Sequence, residues 1–203
     1  MLEPNSLTEG FFEFELPGGS PAILLKRLGT AADGSMWSAV RFPAGFFRAG
    51  PVYLAVEEAY FMLEGEIFYS GLCSPAGSYT VIPAGAARLN TRTEQASMAV
   101  ARFDGAPKWL ERPPQGPVGG IHTETGRGRT DGPLGPWVPL GSHGSVAVGK
   151  LTESVPDEHP GAVLVSLTDL VVVEVAADEQ PPSLTPPIVA WVPTANPSRA
   201  VTA

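Results

Sequence analysis

Turn-forming residues punctuate this chain from end to end, and that alone removes most folds from consideration. The 203 residues include 23 glycines and 22 prolines, spread evenly rather than gathered in low-complexity repeats. Between them lie short runs rich in Val, Ile, Leu and Phe, the pattern of strands and hairpins rather than of helices. Phe11 to Leu16 (F-F-E-F-E-L) alternates apolar and acidic residues as a half-buried strand does. Pro17-Gly18-Gly19-Ser20 forces a turn, and Ala22 to Leu28 predicts the next strand. Asp33-Gly34 turns again into Met36 to Phe42, where Trp37 supplies bulk. The fold class is therefore all-β. A hydrophobic fraction of 43% can fill the core of one large domain or two small ones.

Charge and cysteine content narrow the function classes. The formal net charge is −8 and the arginines occur singly, so no basic cluster is present to neutralise a phosphate backbone. No nucleic-acid partner is expected. Cys73 is the single cysteine, which leaves no internal disulfide framework. No signal-peptide pattern opens the chain, and the most apolar run, Val163 to Val175, is interrupted by Ser166, Thr168, Asp169 and Glu174. The expectation is a cytoplasmic protein without a membrane partner. No G-x-S-x-G elbow, P-loop or C-x-x-C supports a common enzyme class.

Two stretches carry more specific information. Gly45 to Gly65 reads G-F-F-R-A-G-P-V-Y-L-A-V-E-E-A-Y-F-M-L-E-G. A bent apolar strand runs into Glu58, Ala59 to Leu63 predicts a second, and Glu64-Gly65-Glu66 closes a turn before Ile67 to Tyr69. After a short loop, S-G-L-C-S-P-A, Gly77 to Arg92 reads G-S-Y-T-V-I-P-A-G-A-A-R-L-N-T-R, and Ser97 to Phe103 predicts a closing strand. The spacing resembles the two signatures of the cupin superfamily. Gly45, Glu58 and Gly65 fall in register with the first signature, and Gly77, Pro83 and Gly85 with the second. Pro51 and Tyr53 stand where the first signature has histidines, Arg88 stands at the second signature's histidine, and Arg92 at its asparagine. With Phe103-Asp104-Gly105 after the last strand, the chain also resembles small bacterial cupins related to anti-sigma-factor sensor domains and to diketone-type dioxygenases.

The resemblance implies a jelly-roll β-barrel over residues 1–105. Ala106 to Gly120 is rich in proline and glycine and reads as a connector. His122 to Gly135 is expected as a surface loop or ordered arm. Residues 121–203 resemble a faded copy of the first part: with Gly149 laid on Gly45, Leu167 falls on Leu63 and Thr168-Asp169 on the Glu64-Gly65 turn. Val189 to Pro193 then matches Thr80 to Pro83. A tandem of two barrels, a bicupin with a degenerate second copy, is expected. Because the chain ends soon after the second proline turn, the copy lacks an equivalent of Ser97 to Phe103. The expectation is that Phe11 to Leu16 crosses over to cover that edge.

The resemblance also places the candidate site. Cupin metal centres use imidazoles and one carboxylate, a donor set that suits divalent transition metals. Here only Glu58 remains of the four ligands. Pro51 has no ligand atom, Tyr53 ligates only as a phenolate, and Arg88 repels a cation. No metal cofactor is expected in the first barrel. The resemblance aims Glu58 and Arg88 into the barrel, where they can form an ion pair, either structural or part of a ligand site. Tyr60 and Met62 share the strand face of Glu58, since side chains alternate with period two. The candidate ligand-binding set is thus Glu58, Arg88, Tyr53, Tyr60, Met62 and Arg92. Arg41, Arg48 and Arg102 can add to a positive mouth, although isolated arginines at strand ends are expected in solvent.

The function expected is binding of a small anionic or oxygenated molecule in the first barrel. One alternative is a metal-dependent dioxygenase or isomerase with ligands recruited from Asp157 and His159, helped by His122 or His143. Another is a structural protein whose barrel faces form a homodimer.

Overall fold

Alternation of apolar and polar residues carries directly into the strands of the computed structural model, which describes residues 9–124, 138–140, 144–149, 161–176, 179 and 181–193. Among these residues there is no helix. They fall into two compact units, Met1–Gly128 and Arg129–Ala203.

The first unit holds β1 (Phe12–Phe14), β2 (Gly19–Ser20), β3 (Ile23–Thr30), β4 (Met36–Phe42), β5 (Phe47–Arg48), β6 (Tyr53–Leu54) and β7 (Glu58–Glu64). It continues with β8 (Glu66–Tyr69), β9 (Leu72–Pro75), β10 (Tyr79–Ile82), β11 (Thr91–Arg92), β12 (Ser97–Phe103), β13 (Trp109–Leu110) and β14 (His122–Glu124). A seven-stranded sheet runs β1-β3-β4-β12-β7-β10-β14, and a five-stranded sheet runs β2-β5-β11-β8-β9. Apolar side chains from both sheets share one core, among them Ile23, Val40, Tyr60, Met62 and Ala99 from the first and Ile67 and Tyr69 from the second. This is the jelly-roll arrangement, in which each sheet buries its inner face against the other.

Gly65 shows why the β7–β8 turn needs glycine. Its φ is +68°, and a Cβ there would lie 2.6 Å from the Ala96 carbonyl oxygen and 2.8 Å from Ser97 Cβ. Any other residue would meet both the left-handed backbone and the neighbouring chain.

Three expectations change. Leu72–Pro75, expected as loop, is strand β9, paired with β8 around a two-residue Ser70-Gly71 turn in which both φ angles are positive. Such a turn matches the twist of a hairpin, and the sequence S-G supports it. His122–Glu124, expected in a loop or arm, is strand β14, which covers the free edge of β10. The crossover of the N-terminal strand is overturned: β1 pairs with β3 of its own unit, Phe12 opposite Leu25 and Phe14 opposite Ile23. The Pro17-Gly18 turn is short enough to fold β1 back beside β3, which makes local pairing the shorter route.

Residues 106–120, expected as a connector, lie along the first unit. Trp109 and Leu110 pair with Leu54 and Tyr53, and Pro114 sits against Gly85, where a Cβ would collide with its ring.

The second unit contains β15 (Val138–Leu140), β16 (Gly144–Gly149), β17 (Ala162–Ser166), β18 (Val171–Val175) and β19 (Ile188–Pro193). They form one antiparallel sheet in the order β15-β16-β19-β17-β18. Its inner cluster is Ala162, Leu164, Val175, Ile188 and Ala190. The turn expected at Thr168-Asp169 joins β17 to β18, with the Ser166 hydroxyl accepting from the Asp169 N–H at 3.1 Å.

Candidate functional site: an arginine-bearing barrel cavity

Between the two sheets of the first unit lies a cavity of about 400 Å³. Small residues make the room. Ala99 and Ala101 face inward from β12, at the centre of the larger sheet, and leave unfilled the space that leucine or phenylalanine would take. The walls are mainly apolar: Ile23 and Val40, Met62, Ile67, Ile82 and Phe103 are typical. Against this background the charged groups stand out.

Glu58, Tyr60 and Met62 line the cavity together, as alternation along β7 requires. Arg88 enters from the far side, on a segment fixed to Val52 by reciprocal backbone hydrogen bonds of 2.9 and 3.2 Å. Its Nη2 donates to Glu58 Oε2 at 2.9 Å, and its Nη1 reaches the Ala86 carbonyl at 3.4 Å. The Arg88 side chain is 4% exposed and that of Glu58 19%, so the pair is buried at one end and touches water at the other. Below it, Tyr60 donates its hydroxyl to Tyr69 at 2.7 Å. Burial, with Tyr69 second, holds the Tyr60 hydroxyl well above the usual tyrosine range. It remains a neutral donor.

Tyr53 and Arg92 are not on the cavity wall. Tyr53 is half-buried, and the neighbouring Leu54 faces inward instead. Arg92 is exposed, with its guanidinium 4.5 Å from the Phe68 ring centre on the outer surface of the smaller sheet. Arg41 lies 5.2 Å from the Phe11 ring centre, half-buried and off the wall. Arg102 is buried elsewhere, 3.2 Å from Asp33 and 3.5 Å from Asp104. His122 is exposed and bonds Glu124 at 2.9 Å. Asp157, His159 and His143 lie outside the described residues.

The correction of most consequence concerns Arg48, expected in solvent. It is 3% exposed and projects into the cavity from β5, directly across the strand pair from Thr91. Among the described residues neither its Nε nor its Nη1 has a hydrogen-bond partner, and Thr91 Oγ1 has none either. The Trp109 ring, from the 106–120 segment, lies 5.0 Å from the guanidinium carbon, within reach of a cation–π interaction. Burial pushes the Arg48 pKa down to about 10; Glu58 draws it up and Arg88 pushes it down. At neutral pH it keeps its charge. Sequence reasoning missed Arg48 because Phe46 and Phe47 precede it, and two adjacent apolar residues give no phase for alternation. Phe46 turns in at 1% exposure and Phe47 turns out at 49%.

The donor set does not fit a metal. At the positions where the fold would place ligands stand Pro51, Tyr53, Glu58 and Arg88, and the one carboxylate is bound to a guanidinium. Among the described residues no group of three His, Cys, Asp or Glu side chains could hold an ion. Nor does any helix among them have the length and apolarity to cross a membrane.

No family model and no curated protein matches the sequence. Solved structures do match. A protein provisionally named a dioxygenase from Nostoc punctiforme superposes with a TM-score of 0.53 at 15% identity, over 85% of this chain and 73% of its own. An acetylacetone dioxygenase from Acinetobacter johnsonii gives 0.45 at 19% identity, over 57% and 80%. A cupin-like protein from Thermotoga maritima gives 0.42 at 14%, over 52% and 88%. At such identities the likeness speaks for the fold alone. The first unit has the cupin-type jelly-roll fold that the two signatures imply.

Proposed function

We propose that the first unit binds a small organic anion with an apolar body, and that it works by holding that molecule rather than through a metal centre. The observation that carries this reading is the charge balance of the cavity. Three arginines and one glutamate line it: Arg27 is exposed at its edge, Arg48 and Arg88 are buried, Glu58 pairs with Arg88, and Arg48 is left buried with no carboxylate in contact among the described residues. A buried cation of this kind is costly unless something neutralises it. A cavity of about 400 Å³ also lies in the range of small-molecule sites. The second unit reads as a degenerate copy of the same barrel, because β19 pairs with β17 as β10 pairs with β7.

Thermal-shift measurements with a panel of small carboxylates test the reading. Wild-type protein is expected to melt higher with at least one of them. A ligand at a hundred times its Kd stabilises by about 2.7 kcal/mol. Ala101→Leu, which fills the cavity without altering a charge, should abolish the shift. No shift with any carboxylate, or one unaffected by Ala101→Leu, would remove the cavity as the site. Stoichiometric iron, manganese, nickel or zinc in protein purified without a tag, lost on Glu58→Ala or His159→Ala, would favour the metal-dependent alternative.

A further inference from the structure

Resting on that reading, we infer that Arg48, and not Arg88, receives the ligand's charged group, that this group is a carboxylate, and that Thr91 and Trp109 complete its seat. The two arginines differ in what they have left to give. Arg88, like Arg48, has an unbonded Nε among the described residues, but it already spends Nη2 on Glu58 and points Nη1 at the Ala86 carbonyl, so its charge is matched within the protein. Arg48 has a buried guanidinium with Nε and Nη1 unbonded and no carboxylate in contact among the described residues. Beside it, across the β5–β11 pair, Thr91 Oγ1 is buried and unbonded as well. Two unsatisfied polar side chains on neighbouring strands, both lining one cavity, are an uncommon combination in a folded core.

The geometry selects the chemistry. A guanidinium is a planar fork of donors matched to a planar oxyanion, and a threonine hydroxyl adds one more donor. Trp109 packs against Arg48 and limits the directions it can take, so little freedom is lost when a ligand arrives. The remaining wall is apolar and suits an alkyl or aryl body. An arriving carboxylate would also offset the two influences that depress the Arg48 pKa, its burial and the nearby Arg88 charge.

Calorimetric titration of the full chain with hexanoate and phenylacetate, each compared with its neutral amide, separates the possibilities. The wild type should prefer acid over amide by about ten- to a hundredfold, the range of hydrogen bonds to a charged group. Arg48→Met and Arg48→Gln should bind acid and amide alike, and Arg48→Lys should keep part of the preference. Arg48→Met should also melt higher than wild type without ligand, because it removes an unpaired buried charge; a structural arginine would give the opposite shift. An acid preference that survives Arg48→Met, or a lower melting temperature in both the Met and Gln variants, overturns the assignment while leaving the cavity reading in place. Wild-type protein that binds neither acids nor amides defeats the cavity reading, and the assignment with it.

Discussion

Arg88 and Glu58, 30 positions apart in the chain, meet at 2.9 Å on the wall of the barrel cavity. Glu58 comes from strand β7 and Arg88 from the segment bridged to Val52, so each signature stretch supplies one partner. Replacing either partner strands the other in a wall with little water. Glu58→Gln or Arg88→Met should each cost about 3 kcal/mol, the low end for a buried pair because Glu58 keeps some solvent contact. The double variant Glu58→Met with Arg88→Met should recover most of that loss. Urea denaturation of the four proteins gives the coupling, and additive losses would show that the two side chains do not depend on each other.

Acid stability should depend on Asp33. Burial by itself would raise this carboxyl, but the Ser35 side chain and N–H, the latter at 2.8 Å, and the Arg102 guanidinium outweigh it and hold the pKa below 3.8. The folded state therefore releases this proton more readily than the unfolded state. The resulting stabilisation is full above the unfolded pKa and is lost as pH falls below it. Asp33→Asn should lower stability at neutral pH and flatten the decline below about pH 4. Denaturation midpoints at pH 7 and pH 3 check it: an equal loss at both would detach the effect from ionisation.

Gly65 and Gly34 share a left-handed backbone but not an environment. The Gly65 Cβ site is blocked by Ala96 and Ser97, whereas nothing lies within 4 Å of the Gly34 site, where φ is +86°. Gly34→Ala should lose only about 1 kcal/mol, the conformational cost. Gly65→Ala should lose clearly more, because the β7–β8 turn must also move away from β12. Equal losses measured by thermal or urea unfolding would place the burden on backbone conformation alone.

The barrel was legible because its two signatures are backbone statements. Glycines and prolines at set spacing fix turns, and turns fix which strands pair. Glu58, Tyr60 and Met62 followed from Glu58 by counting in twos along an uninterrupted strand. Counting failed wherever the chain left that regular path. From Arg88, four steps of alternation would bring Arg92 inward, but Asn90 adopts φ +50° and shifts the phase, so Thr91 turns in and Arg92 out. Arg48 was hidden by the apolar pair before it. Trp109 was hidden by its proline-rich surroundings, which look like a linker and in fact pack on the barrel.

That packing has a consequence for how such a protein can change. Ala106, Pro107 and Trp109 belong to the cavity wall yet lie outside both large sheets. A substitution on β7 or β12 must suit a register, a pleat and two neighbouring strands at once. Residues 106–109 answer only to the short β6–β13 pairing and to the space they enclose. Selection can therefore reshape what the barrel accepts by rewriting this one border, leaving the scaffold and its Glu58–Arg88 clasp as they are.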